Sequence, residues 1–89
     1  MRLDKYLKVA RLIKRRTLAK QVAEAELIYV NGKLAKPSKD LKIGDTITIE
    51  FGTKSTTVKV ASLNEKVKKE DANTLYEFIS ETKKEIMEG

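Results

Sequence analysis

Arg2, Lys5, Lys8, Arg11, Lys14, Arg15, Arg16 and Lys20 fall within the first twenty positions of an 89-residue chain that holds nineteen cations in all. One acid, Asp4, stands among them, so this stretch carries +7 where the whole chain carries +6. Residues 21–64 sum to +1 and residues 65–89 to −2, which confines the positive field to one end. Guanidinium and ammonium groups at this density attract phosphate; the chemistry on offer is binding, not bond-making. A solvated basic face needs no such segregation. An anionic partner accounts for it, and nucleic acid fits best.

The residues that usually make and break bonds are missing. There is no histidine and no cysteine, which removes the commonest general base and the thiol nucleophile. Gly32, Gly44, Gly52 and Gly89 stand alone, so no glycine-rich phosphate loop occurs. No catalytic constellation, metal site or cofactor site is expected, and the chain reads as a non-enzyme. Without cysteine, neither a disulfide nor a zinc–thiolate site can hold the fold, which must rest on an apolar content of 40%. No apolar run approaches the roughly 20 residues of a membrane span, nor does the N-terminus show a signal-peptide core. A soluble, cytoplasmic, monomeric protein with no membrane partner is the expectation.

The cations must be positioned by regular elements. Leu3, Tyr6, Leu7, Ala10 and Ile13 share one side at 3.6-residue spacing, which predicts a helix over 3–13. Asp4 belongs to its first turn, where it suits the helix dipole and lies four residues ahead of Lys8. Lys14-Arg15-Arg16 breaks the pattern. A second helix starts within Arg15–Thr17 and ends near Ala25, with Leu18, Ala19, Val22 and Ala23 as a narrow apolar stripe. Leu27 to Ala35 then reads as a hairpin about Asn31-Gly32, the pair a type I′ turn demands. Thr46–Phe51 alternates with Ile47, Ile49 and Phe51 inward, and Val58 and Val60 mark a last strand to about Leu63. From about Asp71 a third helix is predicted, with Leu75, Ile79, Thr82 and Ile86 on one side, Glu77, Glu81 and Glu85 on another, and Thr74 with Glu77 as a capping box. The class is α+β: two N-terminal helices packed on a small, mostly antiparallel sheet, with a C-terminal helix.

In this frame Arg16 is the leading phosphate contact. It stands where the second helix presents free N–H groups, and its guanidinium can reach two phosphate oxygens. Arg2 is second, at the other open helix start. Lys5, Lys8, Lys14, Arg15 and Lys20 add less specific attraction, whereas Arg11 reads equally well as a contact or as a solvated side chain. Asn31 and Lys33 belong first to a turn and only second to an RNA surface. Tyr6 falls on the apolar face, which makes it a core residue before a stacking platform, and Tyr29 is the other aromatic that could stack on bases. With no aromatics interleaved among the cations, recognition should follow RNA shape and backbone.

Three fragments in order carry a family likeness: Arg2-Leu3-Asp4-Lys5-Tyr6-Leu7, Arg16-Thr17-Leu18-Ala19 and Ile28-Tyr29-Val30-Asn31-Gly32-Lys33. Together they resemble the RNA-binding domain first described in ribosomal small-subunit protein four, the S-four domain. Residues 1–63 would form that domain, and residues 64–89 a connector and C-terminal helix packed on or extending from it. In length, opening segment and acidic C-terminus the chain is most similar to the free-standing RqcP group, with the heat-shock S-four proteins as neighbours. The resemblance implies a factor that binds large ribosomal subunit rRNA and peptidyl-tRNA on obstructed subunits. It further implies work with RqcH, which recruits alanyl-tRNA, so that stalled chains gain an alanine tail. The heat-shock group implies rescue of stalled large subunits instead. One departure is Glu26-Leu27, where the family usually places a glycine to end the second helix. A reading of a different class is a protein-interaction module that docks a partner through Tyr76 and Phe78 of the C-terminal helix.

Overall fold

A computed structural model describes residues 1–83 of the chain. Leu3, Tyr6 and Leu7 lie on one side of the first helix, α1 (Leu3–Val9), and none retains solvent exposure. The apolar spacing runs on to Ile13, yet the helix stops at Val9. Arg11 turns to φ 58°, its N–H donates to the Lys8 carbonyl at 3.1 Å, and the Leu12 N–H donates to the Leu7 carbonyl at 3.0 Å. This pair of bonds is a Schellman motif with arginine in the left-handed position. Ile13 reaches the core from the irregular turn that follows, so its periodicity is a property of burial and not of helix.

The second helix, α2 (Arg16–Glu24), is preceded by Arg15 in extended conformation, which places Thr17 inside the helix. Ala19 and Ala23 are buried and let α2 cross α1 closely, while Leu18, expected in the stripe, is 44% exposed. The junction that lacks the usual glycine closes in the same way as α1. Glu26 adopts φ 63°, its N–H donates to Ala23 at 3.0 Å, and the Leu27 N–H reaches Val22 at 3.2 Å. A glutamate in the left-handed region costs roughly 1–2 kcal/mol.

Five strands follow: β1 (Ile28–Val30), β2 (Lys33–Leu34), β3 (Thr46–Phe51), β4 (Lys54–Val60) and β5 (Tyr76–Lys83). They form one antiparallel sheet in the order β2-β1-β3-β4-β5. Asn31 at φ 53° and Gly32 at φ 81° supply the two positive angles of the β1–β2 turn, which leaves Val30 paired with Lys33. Ile28, Val30, Ile47, Ile49, Val58 and Val60 face the helices and close the core.

The C-terminal helix expected from Asp71 does not form. Lys69–Leu75 is a 3₁₀ segment, and Tyr76 onward is strand β5. Leu75 is buried, but Ile79 and Thr82 are exposed, and Ile86 lies outside the described residues. Glu77 stands opposite Lys59 and Glu81 opposite Thr56, while Glu85 lies outside the described residues. Thr74 donates back to the Asp71 carbonyl at 2.6 Å and caps nothing. The reason is the open edge of β4, to which a β-branched and aromatic run can bond its whole backbone. A bulge at Thr57–Val58 absorbs the one residue out of register.

Tyr6 ties α1 to the segment that leads into β5. Its hydroxyl, fully buried, donates to the Leu75 carbonyl at 2.6 Å. Burial, with Tyr76 nearby, pushes the phenol well above its ordinary value, so it acts as a permanent donor. Two expectations follow for a thermal melt. Tyr6→Phe should lower stability by about 1 kcal/mol, the usual worth of such a bond. Glu26→Gly should raise it by about 0.5 kcal/mol, since relief of the left-handed strain outweighs the extra freedom of glycine in the unfolded chain.

Candidate nucleic-acid interface

Asp4 organises the basic end. It is 3% exposed, and its carboxylate accepts from both Arg2 Nε (3.2 Å, on Oδ1) and Arg2 Nη2 (3.3 Å, on Oδ2). The Lys5 N–H donates to Oδ1 at 2.8 Å, and Arg16 Nη2 approaches the same oxygen at 3.5 Å, more an ion pair than a hydrogen bond. Arg2 and Arg16, one at the start of each helix, are thus held on a single carboxylate. Their side chains remain 50% and 47% exposed, and one positive charge is left over between them. At that exposure, guanidinium N–H groups not spent on Asp4 stay accessible to a ligand.

The two helix starts differ. That of α1, expected to be open, is closed: Leu3 N–H donates to the Lys39 carbonyl (2.8 Å) and Asp4 N–H to the Pro37 carbonyl (3.1 Å). The segment around residues 37–41 wraps this end, with an Arg2–Asp40 bridge and the Leu41 N–H on the Met1 carbonyl. Arg2 therefore contributes its side chain alone. At α2 no side chain caps the helix, and the N–H groups of Arg16, Thr17 and Leu18 have no protein acceptor among the described residues. Phosphate at that position would meet free donors, the positive end of the dipole and Arg16 together.

The other predicted cations divide between two faces. Lys20, paired loosely with Glu24 at 4.0 Å, shares with Arg2 a groove between α2 and residues 34–38, where Lys36 also lies. Lys8 and Lys14 line a separate groove together with Arg11 and Lys69. Lys5 is drawn to Glu65 at 2.9 Å, and that bond and charge hold the Glu65 carboxyl below its ordinary value. Arg15 is exposed beside Arg16. Asn31 serves the fold: its Nδ2 donates to Asp45 at 3.1 Å and its Oδ1 accepts the Thr46 N–H at 3.0 Å. Lys33 is exposed on edge strand β2, and Tyr29 is half-buried. Asp4 does not pair with Lys8, because its lone pairs are taken by Arg2, Lys5 and Arg16. Lys36 and Lys69 reach these grooves from distant sequence, and no local pattern points to them. Among the described residues no group of His, Cys, Asp or Glu could hold a metal ion.

Burial acts to raise the Asp4 carboxyl, but the hydrogen bonds from Arg2 and Lys5 and the contact with Arg16 outweigh it and hold it below its ordinary value. A depressed folded value contributes stability above the unfolded value, lost as pH falls through the folded one. Asp4→Asn should therefore lose about 1–2 kcal/mol at pH 7, discounted for the half-exposed arginines. Melts between pH 7 and pH 3 should show the wild type falling more steeply than the variant below about pH 4.

The S4 domain family matches residues 1–47, which span both helices, the hairpin and the wrapping segment. The RQC P-site tRNA stabilizing factor of Streptococcus pneumoniae is 59% identical over 85 residues, covering 96% of this chain and 97% of the relative. The factor of the same name in Bacillus subtilis is 54% identical, covering 93% of this chain and 96% of the relative. Among solved structures, that of trimeric heat shock protein 15 from Vibrio cholerae superposes with a TM-score of 0.81 at 34% identity, over 90% of this chain and 82% of that one. Sequence and fold agree: the chain belongs to the S4 domain family of RNA-binding proteins, within the group of the RQC P-site tRNA stabilizing factors.

Proposed function

We propose that this chain is a non-enzymatic RNA-binding factor of ribosome quality control. It binds the large ribosomal subunit when a stalled nascent chain obstructs it, contacting rRNA and the peptidyl-tRNA. By holding that tRNA in place it lets RqcH direct the addition of an alanine tail. It works as a monomer in the cytoplasm. The observation that carries the reading is the Arg2–Arg16 pair seated on Asp4 beside the uncapped start of α2. That arrangement suits the ridge of a folded RNA: a fixed charge separation, free N–H donors and no base-reading side chain. Arg15, Lys20 and Lys5 add to the field around it, and Lys33 marks the far margin of the surface. The names of the relatives at 59% and 54% identity support the tRNA-stabilising role. The likeness to heat shock protein 15 supports a second version, rescue of stalled large subunits without tailing.

Arg16→Ala separates binding from folding. Its contact with Asp4 is long and half-exposed, so removing it should cost under about 1 kcal/mol. Co-sedimentation with large subunits should fall by roughly tenfold, as expected when one well-placed charged anchor is removed. Unchanged co-sedimentation would remove Arg16 from the interface. In cells lacking the protein, a non-stop reporter should lose its alanine tails, and Arg16→Ala should not restore them. Tails that persist without the protein would favour the rescue version.

A further inference from the structure

The cations of the basic end differ in one respect that their sequence hides. Arg2, Lys5, Arg16 and Lys20 each have a carboxylate partner within the chain. Lys8, Arg11, Lys14 and Lys69 have none among the described residues, and these four converge on one open groove at the far end of α1. Val9 and Val67, both half-buried against the core, lie among them. The one acid lining the groove, Glu65, is already engaged by Lys5 at 2.9 Å. The groove shares no lining residue with the one that holds Arg2 and Lys20.

We propose that Lys8, Arg11, Lys14 and Lys69 form a second phosphate-binding groove, which takes a stretch of RNA sugar–phosphate backbone apart from the Arg2–Arg16 pair. This extends the RNA-binding reading above and rests on it. Four unpaired cations around two valines suit that ligand: the ammonium and guanidinium groups meet successive phosphates, and the valines meet ribose edges. An unpaired cation cluster raises the folded state's energy by self-repulsion, which an anionic ligand relieves. Arg11 adds a second cost. It occupies φ 58° in the closing turn of α1, where glycine would sit without strain. Its side chain nevertheless lines the groove.

The test uses the full chain, a labelled RNA stem–loop and isolated large ribosomal subunits, with affinity measured across a salt series. Arg11→Gln combined with Lys69→Gln should lower the log–log salt slope by about two, one for each phosphate no longer neutralised. It should weaken binding at physiological salt roughly tenfold or more. Its effect should add to that of Arg16→Ala, because the two surfaces are separate. Lys54→Gln with Lys59→Gln, on β4, removes equal charge and should leave the slope nearly unchanged. Arg11→Gly gives an independent readout: the melting temperature should rise while RNA binding falls. If the groove pair binds like wild type while Arg16→Ala is impaired, the second groove is wrong and the first reading stands. Equal weakening by the β4 pair would reduce the effect to net charge and overturn the groove. If the groove pair keeps its RNA affinity but no longer binds polyglutamate, the groove takes acidic protein and the proposal fails. If the unaltered chain binds RNA without salt dependence, the reading on which both rest fails.

Discussion

A carboxylate almost out of water, faced by two arginines, is the constraint from which this molecule's basic end takes its shape. An unpaired buried charge costs several kcal/mol, so Asp4 is tolerable only while its partners stay in place. The loop carbonyls of Pro37 and Lys39 already occupy the first N–H groups of α1. Lys5 N–H supplies one donor, and the rest must come from side chains. Arg2 is near in sequence, whereas Arg16 arrives from twelve residues away across the turn between helices. Ala19 and Ala23 set how α2 packs on α1, and the single carboxylate draws one guanidinium from each helix start to the same place.

The turns at the helix ends work under a second constraint. Both helices close with Schellman motifs whose left-handed residue is charged, Arg11 in one and Glu26 in the other. Glycine would be less strained at either place. Short helices of seven and nine residues have little stability of their own, so these closures depend on the core beneath them. That core is formed by small or branched residues on both sides, with Ala19 and Ala23 allowing close approach and the strand isoleucines and valines filling the space. A small domain with a concentrated positive field is then stabilised further by whatever anion it binds.

How much of this is legible in the chain depends on how local each determinant is. Asn31-Gly32 specifies its own turn, and the hairpin follows wherever the pair stands between apolar runs. The alternation over Thr46–Phe51 and the start of α2 near Arg15–Thr17 are local too. Asp4 is legible as structural, yet not for the reason sequence suggests. Spacing points to Lys8, but the contact with Arg16 has no signature in local periodicity. The closure of α1 by residues 37–39 is likewise invisible, so Arg2 looks like a second open helix start. Tyr76–Lys83 shows the limit most clearly. Its apolar positions satisfy a helical stripe as well as a strand, and only the unpaired edge of β4 decides between them.

Strand β5 also bears on where the molecule's binding chemistry lies. Phe78 and Ile79 are 58% and 50% exposed on an edge strand, which by itself resembles a docking site. Their surroundings point the other way. Glu77, Glu81 and Lys83 interrupt the apolar surface, Lys54 and Glu81 pair across it at 3.0 Å, and the bulge at Thr57–Val58 spoils a regular ladder beside it. These are the devices by which sheets discourage further strands from adding to an edge. The helical end shows the reverse pattern, with cations left unpaired, donors left free and a backbone held in strain. Added strands are thus discouraged along β5, while the helical end keeps charge and backbone donors that the described residues do not themselves satisfy.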